Sequence, residues 1–156
     1  MSEPITIVGG GLAGLTLAIG LRHRDIPVTV WESGTYPRHR VCGEFISGRG
    51  LASLARIGLL DGVRAAGARP ATNAAFFTKR TACPARSLPE PALCISRFVL
   101  DQWLVQEFQR LGGELRLGTR WTNGFPAGVV RASGRRPEPS ATGWRWFGLK
   151  VHARGV

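Results

Sequence analysis

The chain has 156 residues, 44% of them apolar and 20% charged, a composition that suits one soluble globular domain spanning 1–156. It contains no apolar run long enough to cross a membrane, and Met1-Ser2-Glu3-Pro4 carries no basic stretch ahead of an apolar segment, so the expected compartment is the cytoplasm. The net charge of +11 comes mostly from arginines scattered between Arg22 and Arg154, with no block, zinc-finger spacing or RNA-binding signature, so no specific nucleic-acid partner is expected.

Residues 4–8 (Pro-Ile-Thr-Ile-Val) form a short β-rich apolar run of the kind found in buried parallel strands. Leu12, Leu15, Ala18, Ile19 and Arg22 then recur at helical spacing, and the pattern stops at Asp25. Residues 27–31 make a second strand that closes on Glu32, which completes a β-α-β unit. From Ser33 to Ser47 no period is sustained and a long loop is expected. Residues 48–67 suit one or two short helices, and 72–78 and 92–95 read as strands separated by a proline-rich stretch. Between 97 and 111 an apolar stripe of Leu100, Trp103, Leu104, Phe108 and Leu111 predicts a helix, capped by Ser96 and stopped by Gly112-Gly113. Strands are expected at 114–117, 127–132 and 143–151. The fold class is therefore α/β, a Rossmann-like parallel sheet with a small antiparallel layer.

The first turn carries the chemistry. Gly9, Gly11 and Gly14 form G-x-G-x-x-G between the first strand and the first helix. Gly9 permits the sharp turn, Gly11 lets a pyrophosphate approach the main chain, and Gly14 allows close helix–strand packing. The free N–H groups of the helix start, at Leu12 and Ala13, and the positive end of the helix dipole then receive the phosphates. Glu32, at the end of the second strand, can accept hydrogen bonds from both hydroxyls of an adenosine ribose and disfavours a 2′-phosphate.

The loop Tyr36-Pro37-Arg38-His39-Arg40-Val41-Cys42-Gly43-Glu44-Phe45-Ile46-Ser47 resembles that of the geranylgeranyl reductase-like flavoproteins, a branch of the para-hydroxybenzoate hydroxylase superfamily. Arg97-Phe98-Val99-Leu100-Asp101-Gln102-Trp103-Leu104 is similar to a second family motif at a helix start. The resemblance implies FAD as cofactor, with Arg40 beside its phosphates, Cys42-Gly43 near the isoalloxazine ring, Arg97 in contact with FAD, and Asp101 structural. It also implies NADPH or NADH as electron donor and a small apolar substrate that is reduced or hydroxylated.

Other readings stand beside these. Arg97 alone could be a surface arginine whose stem covers apolar area. Cys42 could be an ordinary small hydrophobe, and the three cysteines form neither a metal-binding nor a disulfide pattern. Trp144-Arg145-Trp146 is similar to the W-x-W signature of flavin-dependent halogenases, although two tryptophans sharing one sheet face explain it better. No catalytic acid or base stands out.

The resemblance covers most of residues 4–118 and thins afterwards. Ala132-Ser133-Gly134 occupies the place of a family A-D-G turn with Ser for Asp, and the family's later Gly-Asp motif and substrate sheet have no match. The expectation is an apparently truncated FAD-binding portion that exposes sheet surface and self-associates. Its rivals are a fragment of an NAD-dependent dehydrogenase and a non-catalytic dinucleotide-binding fragment.

Overall fold

The computed structural model describes residues 3–42 and 44–134. In chain order the elements are β1 (Ile5–Val8), α1 (Leu12–Arg22), β2 (Val28–Glu32), β3 (Phe45–Ile46), α2 (Arg49–Arg56), α3 (Leu60–Ala65), β4 (Arg69–Ala74), β5 (Arg86–Cys94), α4 (Arg97–Arg110), β6 (Glu114–Leu117) and β7 (Val129–Arg131). The four strands β6-β2-β1-β7 form a parallel sheet, and β3-β5-β4 form a separate antiparallel one.

Parallel neighbours need crossovers, and the chain supplies them with helices. Helix α1 links β1 to β2, and α4 carries the chain from the antiparallel layer to β6, which pairs with β2 on its outer side. Ile7, Leu15, Ala18, Ile19, Val30, Leu104 and Phe108 are fully buried where β1, β2, α1 and α4 meet. Each large aliphatic or aromatic side chain buried there contributes about 1.5–3 kcal/mol. Arg22 Nε donates to the Leu111 carbonyl at 2.9 Å, which ties the end of α1 to the end of α4.

Helix α4 stops as its sequence demands. Gly112 takes φ +74°, its N–H donates to Gln109 O at 2.9 Å, and the Gly113 N–H donates to Phe108 O at 3.0 Å. This paired arrangement satisfies two carbonyls that the helix end leaves open.

The antiparallel layer departs from the expected boundaries. The strand expected at 72–78 lies at Arg69–Ala74, and the one expected at 92–95 runs from Arg86 to Cys94 through Pro89 and Pro91. Strand β4 pairs Arg69 with Cys94, Pro70 with Leu93 and Ala71 with Ala92, then slips to pair Asn73 with Ser87. Both prolines fall in that slip, and β3 reaches only Leu93 and Cys94, so their missing N–H groups interrupt no ladder. The loop expected over 33–47 ends in β3. The strand predicted at 143–151 and the Trp144-Arg145-Trp146 motif lie outside the described residues.

Candidate functional site

Strand β7 lies on the opposite side of β1 from β2, so the strand order reverses at β1, and the carboxyl ends of the strands open a crevice there. Val8, Gly9, Gly11, Leu12 and Ala13 form one wall and Arg131, Ala132, Ser133 and Gly134 another, around about 600 Å3.

The three motif glycines have separate reasons to be glycine. Gly9 has φ +113°, and a side chain there would strike the Ala132 carbonyl and come within 2.8 Å of Ser133 Cα. A Cβ on Gly14 would overlap the Gly9 carbonyl oxygen, so this residue sets how closely α1 packs. At Gly11 a Cβ would meet no atom within 4 Å. Gly11 is not required by packing within the described residues, and it stands at the crevice.

Helix α1 begins there with no side-chain cap among the described residues and no acidic residue in its first turn. The N–H groups of its opening residues lack intrahelical carbonyl partners and carry the positive end of the dipole. Among the described residues, five arginines line the crevice (Arg38, Arg40, Arg97, Arg120 and Arg131) against a single carboxylate, Glu32.

Glu32 is 6% exposed. Its Oε2 accepts from Gly10 N at 3.0 Å, its Oε1 accepts from Gly34 N at 2.9 Å, and Arg38 lies 2.8 Å from Oε1. Burial alone would raise its pKa. The hydrogen bond from Arg38, the Gly34 N–H, the Arg38 charge and the Gly10 N–H outweigh that and hold the carboxyl below its usual range.

The long loop crosses the ends of the strands as a belt. The Tyr36 hydroxyl donates to the Gly10 carbonyl, and burial, then the charge of Glu32, push its pKa up. Arg40 stands 3.7 Å from Glu32 and 3.9 Å from Asp101. Glu44 Oε1 accepts from the Arg97 N–H at 2.7 Å, and so binds the belt to the start of α4.

Arg97 grips the fully buried Asp101 with two hydrogen bonds, Nε to Oδ1 at 2.7 Å and Nη2 to Oδ2 at 2.8 Å. Burial would lower the Arg97 pKa, but the hydrogen bonds and charge of Asp101, together with Cys42, raise it on balance. Arg97 therefore has a local reason to occupy a helix's first turn, and it still reaches the crevice. Cys42 is exposed, lies beside Arg97 and is not among the crevice-lining residues; Gly43 lies outside the described residues.

A family model described as FAD binding domain matches residues 2–132. The chain belongs to this FAD-binding family. It is 31% identical over 132 residues to 3-amino-4-hydroxybenzoate 2-monooxygenase of Streptomyces platensis, covering 83% of this chain and 31% of the relative. It is 29% identical over 116 residues to rifampicin monooxygenase of Streptomyces venezuelae, covering 73% of this chain and 24% of the relative. The chain thus spans 24% and 31% of the length of these curated relatives. In structure, the fold matches 2-methyl-3-hydroxypyridine-5-carboxylic acid oxygenase with a TM-score of 0.67 at 24% identity, over 76% of this chain and 32% of that one. These findings agree with the superfamily level of the resemblance, an FAD-dependent member of the para-hydroxybenzoate hydroxylase superfamily.

The residues of this FAD-binding domain fit its cofactor. A dinucleotide pyrophosphate is dianionic and needs donors and an unobstructed main chain. The crevice offers an uncapped helix start, open space at Gly11, and a buried Arg38 Nε with no hydrogen-bond partner among the described residues. Sequence reasoning missed part of this wall. Trp31 and Trp121 meet edge to face with centroids 5.2 Å apart, and Arg131 lies over the Phe125 ring at 4.0 Å. Trp31 directly precedes Glu32, a signal that could have been read; Trp121 and Arg131 enter only through the return of β7 to β1.

Proposed function

We propose that this chain is the FAD-binding part of a flavin-dependent monooxygenase acting on a small apolar molecule. The observation that carries the reading is the open Gly11 at an uncapped helix start, inside a crevice lined by five arginines and within the span matched by the family model. In it, Gly9, Gly11 and Gly14 shape the turn, the N–H groups of Leu12 and Ala13 hold the pyrophosphate, and Glu32 holds the adenosine ribose. Arg40 and Arg97 neutralise the phosphate side, and Cys42-Gly43 lies toward the flavin ring. Bound FAD supplies redox chemistry, with NADPH or NADH as donor; the protein's part is position and electrostatics.

Within the superfamily two reactions compete. The names of the curated relatives favour hydroxylation. The Arg40-Val41-Cys42-Gly43 loop favours the geranylgeranyl reductase-like branch and alkene reduction, and the contact of Cys42 with Arg97 joins that branch's two motifs in space.

Residues 1–156 act as one folding unit in the cytoplasm. Phe76 and Phe77, 77% and 75% exposed, together with the apolar hollow lined by Leu17, Phe45 and Leu54, favour self-association. The chain alone does not turn over substrate, because the crevice takes only the adenosine and pyrophosphate half of FAD, and an open flavin lacks orientation and water exclusion. The test is to mix the chain with FAD and NADH or NADPH. Flavin reduction should run no faster than with free FAD, and a robust acceleration would overturn this part of the reading.

A further inference from the structure

A carboxylate presents about four acceptor positions, and those of Glu32 are nearly all in use. Oε1 receives Gly34 N at 2.9 Å, Arg38 Nη2 at 2.8 Å and, weakly, Ser33 Oγ at 3.4 Å. Oε2 receives Gly10 N at 3.0 Å, with Arg40 more distant at 3.7 Å. A ribose that presents two hydroxyls to Glu32 therefore has to displace something.

The two main-chain donors cannot yield without moving the fold. Gly10 is held at its carbonyl by the Tyr36 hydroxyl, and Gly34, two residues beyond β2, is held at its carbonyl by Gly118 N at 3.3 Å. Arg38 can yield. Its side chain is 27% exposed, its Nε has no hydrogen-bond partner among the described residues, and its guanidinium carbon stands 5.7 Å from the Tyr36 ring centroid, a loose stack. Its present seat exists only because Gly34 is glycine, since a Cβ there would overlap the Arg38 guanidinium. Arg38 also lines the crevice that the phosphates would enter.

We propose that Arg38 is a latch on Glu32: it occupies the acceptor position that the adenosine ribose requires, and gives it up in exchange for the dinucleotide pyrophosphate. This rests on the reading of the crevice as a dinucleotide site. A phosphate group of greater negative charge replaces a single carboxylate as the partner of Arg38, so the exchange is favourable when the ligand carries phosphate and unfavourable when it does not. Arg38 thereby selects phosphorylated adenosine ligands over the bare nucleoside and discourages half-occupied binding.

The experiment titrates adenosine and ADP into the purified 156-residue chain and into the Arg38→Ala and Arg38→Gln variants, with thermal melts to verify folding. In Arg38→Ala adenosine should bind tighter by about fivefold, the scale of one partly exposed ion pair. ADP should bind weaker, because its phosphates lose a cation. Arg38→Gln, which keeps the stem and a hydrogen-bonding head, should move both ligands in the same directions by less. These opposite shifts separate a latch from a merely structural arginine, whose loss would weaken both. Adenosine affinity that is unchanged or lower in both folded variants overturns the latch while leaving the dinucleotide site standing, provided that the parent binds ADP and Gly11→Val does not. Failure of the parent to bind ADP overturns both.

Discussion

The two long helices of this domain start in opposite ways. At α4, Ser96 Oγ accepts from Val99 N at 3.2 Å and Glu44 Oε1 accepts from Arg97 N at 2.7 Å, so folding itself satisfies the helix start. At α1, Gly11 is the N-cap, and among the described residues no side chain caps the helix and no acid stands in its first turn. A helix start stripped of its usual partners, beside arginines and a glycine with open space, supports the proposed anion site. The difference teaches that missing local stabilisation can mark function more sharply than the presence of a motif does.

The comparison breaks most severely at α1. Gly11→Val puts a branched side chain into the open space at the helix start and should abolish FAD binding while costing only about 1 kcal/mol of stability as a poorer N-cap, which titration and a thermal melt on one sample would show. The matching insult at α4 reads out in stability instead. Asp101→Ala leaves the Arg97 guanidinium mostly buried without its partner and should cost about 3–5 kcal/mol of unfolding free energy. A urea midpoint close to that of the parent would show that this pair adds nothing.

Glu32→Ala should weaken FAD by about 1.5–3 kcal/mol, the worth of hydrogen bonds to a charged group. The same residue supplies a pH test. Its carboxyl is held below its unfolded value, so its contribution to stability is complete above the unfolded carboxylate range and is lost as pH falls through the folded value. Glu32→Gln should therefore melt below the parent at neutral pH, with the gap closing in acid; a gap constant with pH would contradict the shift. The smallest effect belongs to Ser96→Ala, which removes the α4 cap at a cost of about 1 kcal/mol and should leave FAD affinity unchanged.

How much of this was legible in the sequence follows from how far apart the cooperating residues lie. The β-α-β unit, its glycines and Glu32 sit within one local stretch, and helical spacing in α4 exposed Leu100, Leu104 and Phe108 as core. Strand β5 was obscured because proline argues against a strand, and only the register slip opposite Thr72 makes Pro89 and Pro91 harmless there. Arg38 looked like one basic residue among many, and its hold on Glu32 depends on the path of the belt. Trp121 and Arg131 could not be assigned to the crevice before β7 was known to pair with β1, Val8 opposite Arg131. Arg97 was expected either to contact FAD or to lie on the surface, and its pairing with Asp101 one helical turn on appears only in the fold.

The central claim is that this crevice binds FAD through its adenosine and pyrophosphate half. The most direct measurement follows flavin fluorescence as the chain is titrated into FAD, with ADP-ribose and NAD as competitors. The account predicts saturable binding at one FAD per chain, displacement by ADP-ribose, preference for FAD over NAD, and a selective loss of FAD affinity in Arg97→Ala. No saturable FAD binding, or equal affinity for FAD and NAD that Arg97→Ala leaves untouched, would contradict it.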